Sequence, residues 1–132
     1  RKEARKVRFQ CCALGARQDE PVLHAGLLLF EQNTGRKVEW EWFERREDLL
    51  YRLRHGSCDA SVIALPGALG MESAMGVREM LPRVPMVWIS EDGNFAVQAY
   101  RLRVQMFLQT PVTEQQVAAA LERCMEKEYV FR

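Results

Sequence analysis

Ala60-Ser61-Val62-Ile63-Ala64-Leu65, closed by Pro66-Gly67, is the stretch that decides the fold. A short, largely apolar run with β-branched Val62 and Ile63 at its centre suits a strand covered on both faces, and Pro-Gly breaks it. Working outward, Val7 to Leu14 is a second apolar run ended by Gly15, with the length and punctuation of a first strand. Between these two, Pro21 sits where a first helical turn tolerates it, and Val22 to Phe30 runs as a helix to a stop near Asn33, Thr34 and Gly35. Val38-Glu39-Trp40-Glu41-Trp42 alternates strictly, so one face of this strand is aromatic and the other acidic. Leu49, Leu50 and Leu53 predict a second helix within Arg45 to Arg54, stopped near Gly56.

Beyond Gly67, the spacing of Ala74, Val77 and Leu81 predicts a third helix over Glu72 to Leu81, which Pro82 stops. Pro85 to Ile89 is a short buried strand ending at Ser90. The polar turn Glu91-Asp92-Gly93-Asn94 leads into a short helix, Phe95 to Leu102, and a strand from Val104 to Gln109 that Pro111 terminates. Thr113-Glu114-Gln115-Gln116 matches a capping box, and Val117, Leu121 and Cys124 then form one buried helical stripe. Strands separated by single helices must pair in parallel, and right-handed crossovers put helices on both faces. The expectation is an α/β fold: a three-layer αβα sandwich around a five-stranded parallel sheet. Its functional pocket lies outside the carboxyl ends of the strands, among Leu14 to Glu20, Ala64 to Pro66, Ser90 to Asp92, and Thr110.

The chain has 132 residues, enough for one domain with a full core and too few for two of ordinary size. Apolar residues at 48% and charged residues at 28% exclude a disordered chain and a disulfide scaffold. A formal charge of +1 supplies no field for phosphate backbones or anionic lipid. No apolar run approaches the roughly 20 residues that span a bilayer. Cys11, Cys12, Cys58 and Cys124 lack metal-site spacing and three of the four lie next to apolar runs, so buried reduced thiols and a cytoplasmic location are expected. The start at Arg1, with the basic run to Lys6 and no apolar leader, creates the expectation of a longer natural protein.

FAVQAYRLRVQMFLQTPVT, from Phe95 to Thr113, resembles without a gap the fifth-strand region of bacterial response regulator receiver domains, particularly those joined to LytTR-type DNA-binding domains. PRVPMVWIS, from Pro82 to Ser90, is similar to that family's fourth strand, and DASVIAL, from Asp59 to Leu65, to its third. The resemblance implies receiver, flavodoxin-like topology over residues 1–132. It also implies a chemistry: phosphoryl transfer to an Asp after the third strand, with Mg2+ on that Asp and an acidic pair. A hydroxyl and a Lys then hold the phosphoryl oxygens. Ser90 matches the hydroxyl position, but Ala64 stands at the acceptor position and Thr110 at the Lys position. Asp19-Glu20-Pro21 resembles the family's Asp-Glu-Pro only with an insertion after the first strand. The simpler account, which we favour, is that acids before a helix start answer its exposed N–H groups. The loop after Ala64 is about two residues shorter than the family's, which should narrow the mouth of the pocket.

The resulting expectation is a non-enzymatic, phosphorylation-independent receiver with a degenerate pocket of Ala64, Ser90, Thr110, Asp19 and Glu20, holding no metal or cofactor. It would act as a protein-interaction or dimerisation module through its last two helices and last strand, with Tyr100, Arg101, Arg103, Phe107 and Glu122 on that face. DNA would be reached only through an output domain outside this sequence, with Glu128 to Arg132 starting the linker. The alternative class is a small flavodoxin-like binder or enzyme. No Gly-rich phosphate loop supports it, and His24 and His55 fall away from the strand ends. A third option, control through Cys11 or Cys12 near the pocket, is weakened by the inertness of buried thiols. Trp40 and Trp42 are expected to pack against helices.

Overall fold

The computed structural model describes residues 8–126, so the basic amino-terminal run and the linker expectation at 128–132 lie outside the described residues. Val62 and Ile63 do lie in a strand buried on both faces: β3 (Ala60–Ala64) is the centre of the sheet. The other strands are β1 (Arg8–Gly15), β2 (Lys37–Phe43), β4 (Met86–Ser90) and β5 (Met106–Gln109). They are crossed by α1 (Glu20–Thr34), α2 (Arg46–Arg54), α3 (Gly67–Met80), α4 (Ala96–Arg101) and α5 (Glu114–Met125). The sheet order is β2-β1-β3-β4-β5 and every pairing is parallel. The αβα sandwich anticipated from the strand–helix alternation is therefore present.

Each face of the sheet has its own apolar layer. Under α1 and α5, Leu23, Leu27 and Phe30 meet Val117, Leu121 and Cys124 against Phe9, Cys11 and Val62. Under α2, α3 and α4, Leu49, Leu53, Ala74, Val77 and Ala99 cover Cys12, Leu14, Ile63 and Trp88. Successive strand residues point to opposite faces, which is why adjacent Cys11 and Cys12 belong to different layers. β2 is half-buried along its length, as alternation demands. Trp40 and Trp42 pack partly onto the first layer, their rings 5.8 Å apart, while Glu41 on the other face meets Arg52 Nε at 2.7 Å.

Element ends carry most of the departures from expectation. Helix α3 begins at Gly67 rather than Glu72: Pro66, in extended backbone, holds the N-cap position without a side-chain cap, and the chain turns directly from strand to helix. Gly70 permits this turn: its N–H donates to Pro66 O at 3.3 Å, and a Cβ there would overlap the Leu65 carbonyl oxygen and stand 2.9 Å from its carbonyl carbon. β5 starts at Met106 rather than Val104, since Arg103 turns through φ 56 and Gln105 is engaged in bonding the start of β4. Helix α5 starts where the capping box places it, with Thr113 Oγ1 accepting from Gln116 N–H at 3.1 Å and Gln116 Oε1 from Thr113 N–H at 2.9 Å. Thr113→Ala is expected to cost about 1 kcal/mol, read as a lower urea midpoint at unchanged slope.

Arg78, on α3, is 7% exposed and was not singled out by its sequence context. Its Nε donates to Leu102 O at 2.7 Å. Nη1 lies 3.0, 3.1 and 2.8 Å from the carbonyls of Leu81, Pro82 and Val84, and Nη2 reaches Arg103 O at 3.4 Å. One guanidinium thus serves the loops that lead into β4 and β5, at the amino ends of the strands. Burial, and then the charge of Arg103, push its pKa down.

Candidate functional site

At the carboxyl ends of the strands a crevice of about 180 Å3 is lined by residues that include Asp19, Ala64, Ser90, Glu91 and Thr110. Ala64, the last residue of β3 and 7% exposed, presents a methyl group to it. Ser90 ends β4 with both hydrogen-bonding capacities of its hydroxyl in use: Oγ donates to Glu91 Oε1 at 3.2 Å and accepts from Asp92 N–H at 3.2 Å. Glu91 Oε1 also accepts from Gly67 N–H at 3.3 Å. Its carboxylate therefore sits at the amino end of α3, where exposed N–H groups and the helix dipole favour negative charge. Thr110 N–H donates to Ser90 O at 3.0 Å, and Gln109 Nε2 to Glu91 O at 3.1 Å, so β5 holds the loop that carries Glu91.

The expected pocket residues are brought together only in part. Asp19, in the turn before α1, lines the crevice without making a side-chain cap to the helix. Glu20 is not among the lining residues: its Oε2 accepts from Trp40 Nε1 at 3.3 Å and lies 3.9 Å from His24 Nδ1. Neither Cys11 nor Cys12 reaches the crevice, both being buried in the layers beside the sheet. His24 and His55 are also elsewhere, beside Trp40 and Tyr51 respectively. Glu91 falls within the expected span Ser90 to Asp92, although no role was read for it from sequence, and Gln109 was missed.

The donor set does not fit the Mg2+ that the resemblance implies. A hard divalent ion needs several oxygen ligands, yet Ala64 brings none and Glu20 is turned to Trp40. Among the described residues no group of three or more His, Cys, Asp or Glu side chains could hold a metal ion. Nor do the described lining residues include a Lys, Arg or His to face a phosphoryl group.

The second set of expected residues is spread out. Tyr100 is 86% exposed on α4, one turn from Val97 at 60%, and Arg101 is exposed beside it. Arg103 is exposed in the following turn, where Nη2 donates to Pro82 O at 3.4 Å. Phe107 is half-buried on β5, its ring edge-on to Trp88 at 5.4 Å. Glu122, on α5, accepts from Asn33 Nδ2 of α1 at 3.2 Å, which ties it to the α1–α5 seam.

No protein-family model and no curated protein matches this chain. Solved structures do. The response regulatory domain of protein MrkE from Klebsiella pneumoniae is 19% identical, with a TM-score of 0.72, over 92% of this chain and 99% of that one. A CheY-like response regulator receiver domain protein from Methanospirillum hungatei is 13% identical, with a TM-score of 0.67, over 92% and 98%. An orphan response regulator of H. pylori is 12% identical, with a TM-score of 0.69, over 92% and 99%. Strand order, parallel pairing and this likeness agree that the chain has the fold of the CheY-like response regulator receiver domains.

Proposed function

We propose that this chain is a receiver domain of a signal-transduction response regulator that works without aspartyl phosphorylation, as a protein-interaction and dimerisation module. The observation that carries the reading is Ala64 at the end of β3, facing a crevice whose charged lining residues, Asp19 and Glu91, are both acidic. A methyl group cannot accept a phosphoryl group, and two carboxylates oppose the approach of an anion. The Ser90 hydroxyl, already donating to Glu91, has no second proton to offer. We place the chain in the cytoplasm, upstream of a LytTR-type DNA-binding domain through which transcription would be regulated. Among the described residues no helix is long and apolar enough to cross a membrane. Dimerisation would use α4, β5 and α5, where Tyr100 and Val97 offer apolar surface next to Arg101. The alternative of a flavodoxin-like binder or enzyme gains no support from a crevice of about 180 Å3, since small-molecule sites run to about 300–1,000 Å3.

Incubation with acetyl phosphate, or with beryllofluoride, in the presence of Mg2+ is expected to leave intact mass, tryptophan fluorescence and oligomeric state unchanged. Stoichiometric aspartyl phosphate would reject the reading. In sedimentation, Tyr100→Glu is expected to weaken self-association at least tenfold, about 1.4 kcal/mol; an unchanged dimer would move the interface elsewhere.

A further inference from the structure

β2 is an edge strand: β1 lies on one side of it and, among the described residues, no strand lies on the other. The Val38 N–H points away from β1, since it donates to Glu31 Oε2 of α1 at 2.7 Å. Backbone direction alternates along a strand, so the N–H and C=O groups of Trp40 and Trp42 are directed outward as well. Beside this edge runs one flank of α1. The helix's other flank faces α5, where Gly26 packs against Val117 and Asn33 Nδ2 donates to Glu122 Oε2. Helical spacing therefore turns Glu20, His24, Leu28 and Glu31 to the β2 side. The contacts agree: Glu20 Oε2 accepts from Trp40 Nε1 at 3.3 Å, and the His24 ring lies parallel to that of Trp40 at 6.2 Å. Towards the start of β2, a hollow of about 450 Å3 opens between Leu28, Glu31, Arg36 and Lys37. Leu28 is 52% exposed, whereas the Glu31 carboxylate is committed to Val38 N–H. Because α1 runs against the direction of β2, the groove carries the Glu20 carboxylate at one end, Leu28 midway and the cations of Arg36 and Lys37 at the other.

We propose that this groove takes an extended segment of a partner protein as a sixth strand beside β2. The segment presents a basic side chain to Glu20, an aliphatic one to Leu28, and an acidic carboxyl-terminal end to Arg36 and Lys37, which makes it antiparallel to β2. Main-chain bonds to the outward groups of Trp40 and Trp42 supply affinity, and the order of side chains supplies direction. A second copy of the chain is the poorer occupant. Two β2 strands paired antiparallel about Trp40 would set Glu39 opposite Glu41 twice, and like charges directly opposite each other are destabilising. The groove lies at the sheet edge opposite β5, so the inference stands apart from the dimer face proposed above.

The probe is a synthetic hexapeptide in which threonine alternates with arginine, valine and glutamate, in that order, ending on a free carboxylate. It is titrated into the isotope-labelled full chain, followed by NMR and amide hydrogen exchange. The expected result is saturable shifts centred on the Trp40 and Trp42 amides, with exchange of both slowed about tenfold. Of two forms of the peptide N-methylated at alternate amides, one is expected to lose binding and the other to keep it, since only one set faces β2. Leu28→Glu, at an exposed site that leaves the core intact, is expected to weaken binding about tenfold. Glu20→Lys is expected to weaken it roughly fivefold, and exchanging the peptide's arginine for glutamate to restore it. Trp40 and Trp42 amides that do not respond to millimolar peptide would overturn the proposal, as would equal binding of the reversed-order peptide. Protection of those amides that rises with protein concentration alone would also overturn it, by making a second copy the occupant.

Discussion

Arg78→Leu is expected to lower the unfolding free energy by about 3–5 kcal/mol, the size expected when several hydrogen bonds from one buried charged side chain are lost together. The substitution keeps much of the apolar stem but withdraws donors from the carbonyls of Leu81, Pro82, Val84, Leu102 and Arg103. A buried carbonyl left without a donor costs about 1–3 kcal/mol, and bonds from a charged group are at the strong end of the scale. Arg78→Lys is expected to recover less than half of the loss, because an ammonium keeps the charge but cannot span both loops as a planar fork does. Urea unfolding with an unchanged slope is the measurement. A loss below about 1 kcal/mol for Leu would mean that water reaches these carbonyls and that Arg78 does not hold the two loops together.

Gly70→Ala is expected to destabilise by about 3 kcal/mol, although alanine is the better helix former by about 1 kcal/mol. The reversal comes from the backbone. The added methyl would collide with the Leu65 carbonyl, and a carbonyl in the turn out of β3 cannot swing aside as a flexible side chain would. Gly76→Ala, in the same helix, supplies the contrast. Its nearest neighbour would be Leu50 Cδ1 at an ordinary 3.6 Å, so a gain of about 0.5–1 kcal/mol is expected there. If both alanines stabilised, the turn from β3 into α3 would not be the constraint described. The turn matters to the site because it brings Gly67 N–H to Glu91 and so closes one wall of the crevice.

What could be read from residue order was whatever depends on periodicity and punctuation. Val62 and Ile63 between a polar start and Pro66, the alternation around Trp40, and the Thr113 capping box each express a local rule, and each is where that rule puts it. The early start of α3 was illegible because it depends on the space that Gly70 leaves beside a carbonyl, which only the folded chain reveals. Arg78 looked like one more charge on an amphipathic helix, since its acceptors come from loops distant in sequence. The site divided along the same line. Ala64, Ser90 and Thr110 meet because strand ends meet, so their positions followed from the topology. Glu20 and Glu91 were decided by side-chain partners, Trp40 for one and the Gly67 N–H with Ser90 for the other.

The neighbouring thiols of β1 look into different layers of the sandwich. Two adjacent positions on one strand therefore carry a natural chemical tag for each half of the interior. Under mild denaturant, the rates at which Cys11 and Cys12 become labelled report whether those halves open as one unit or in succession, with no foreign probe introduced.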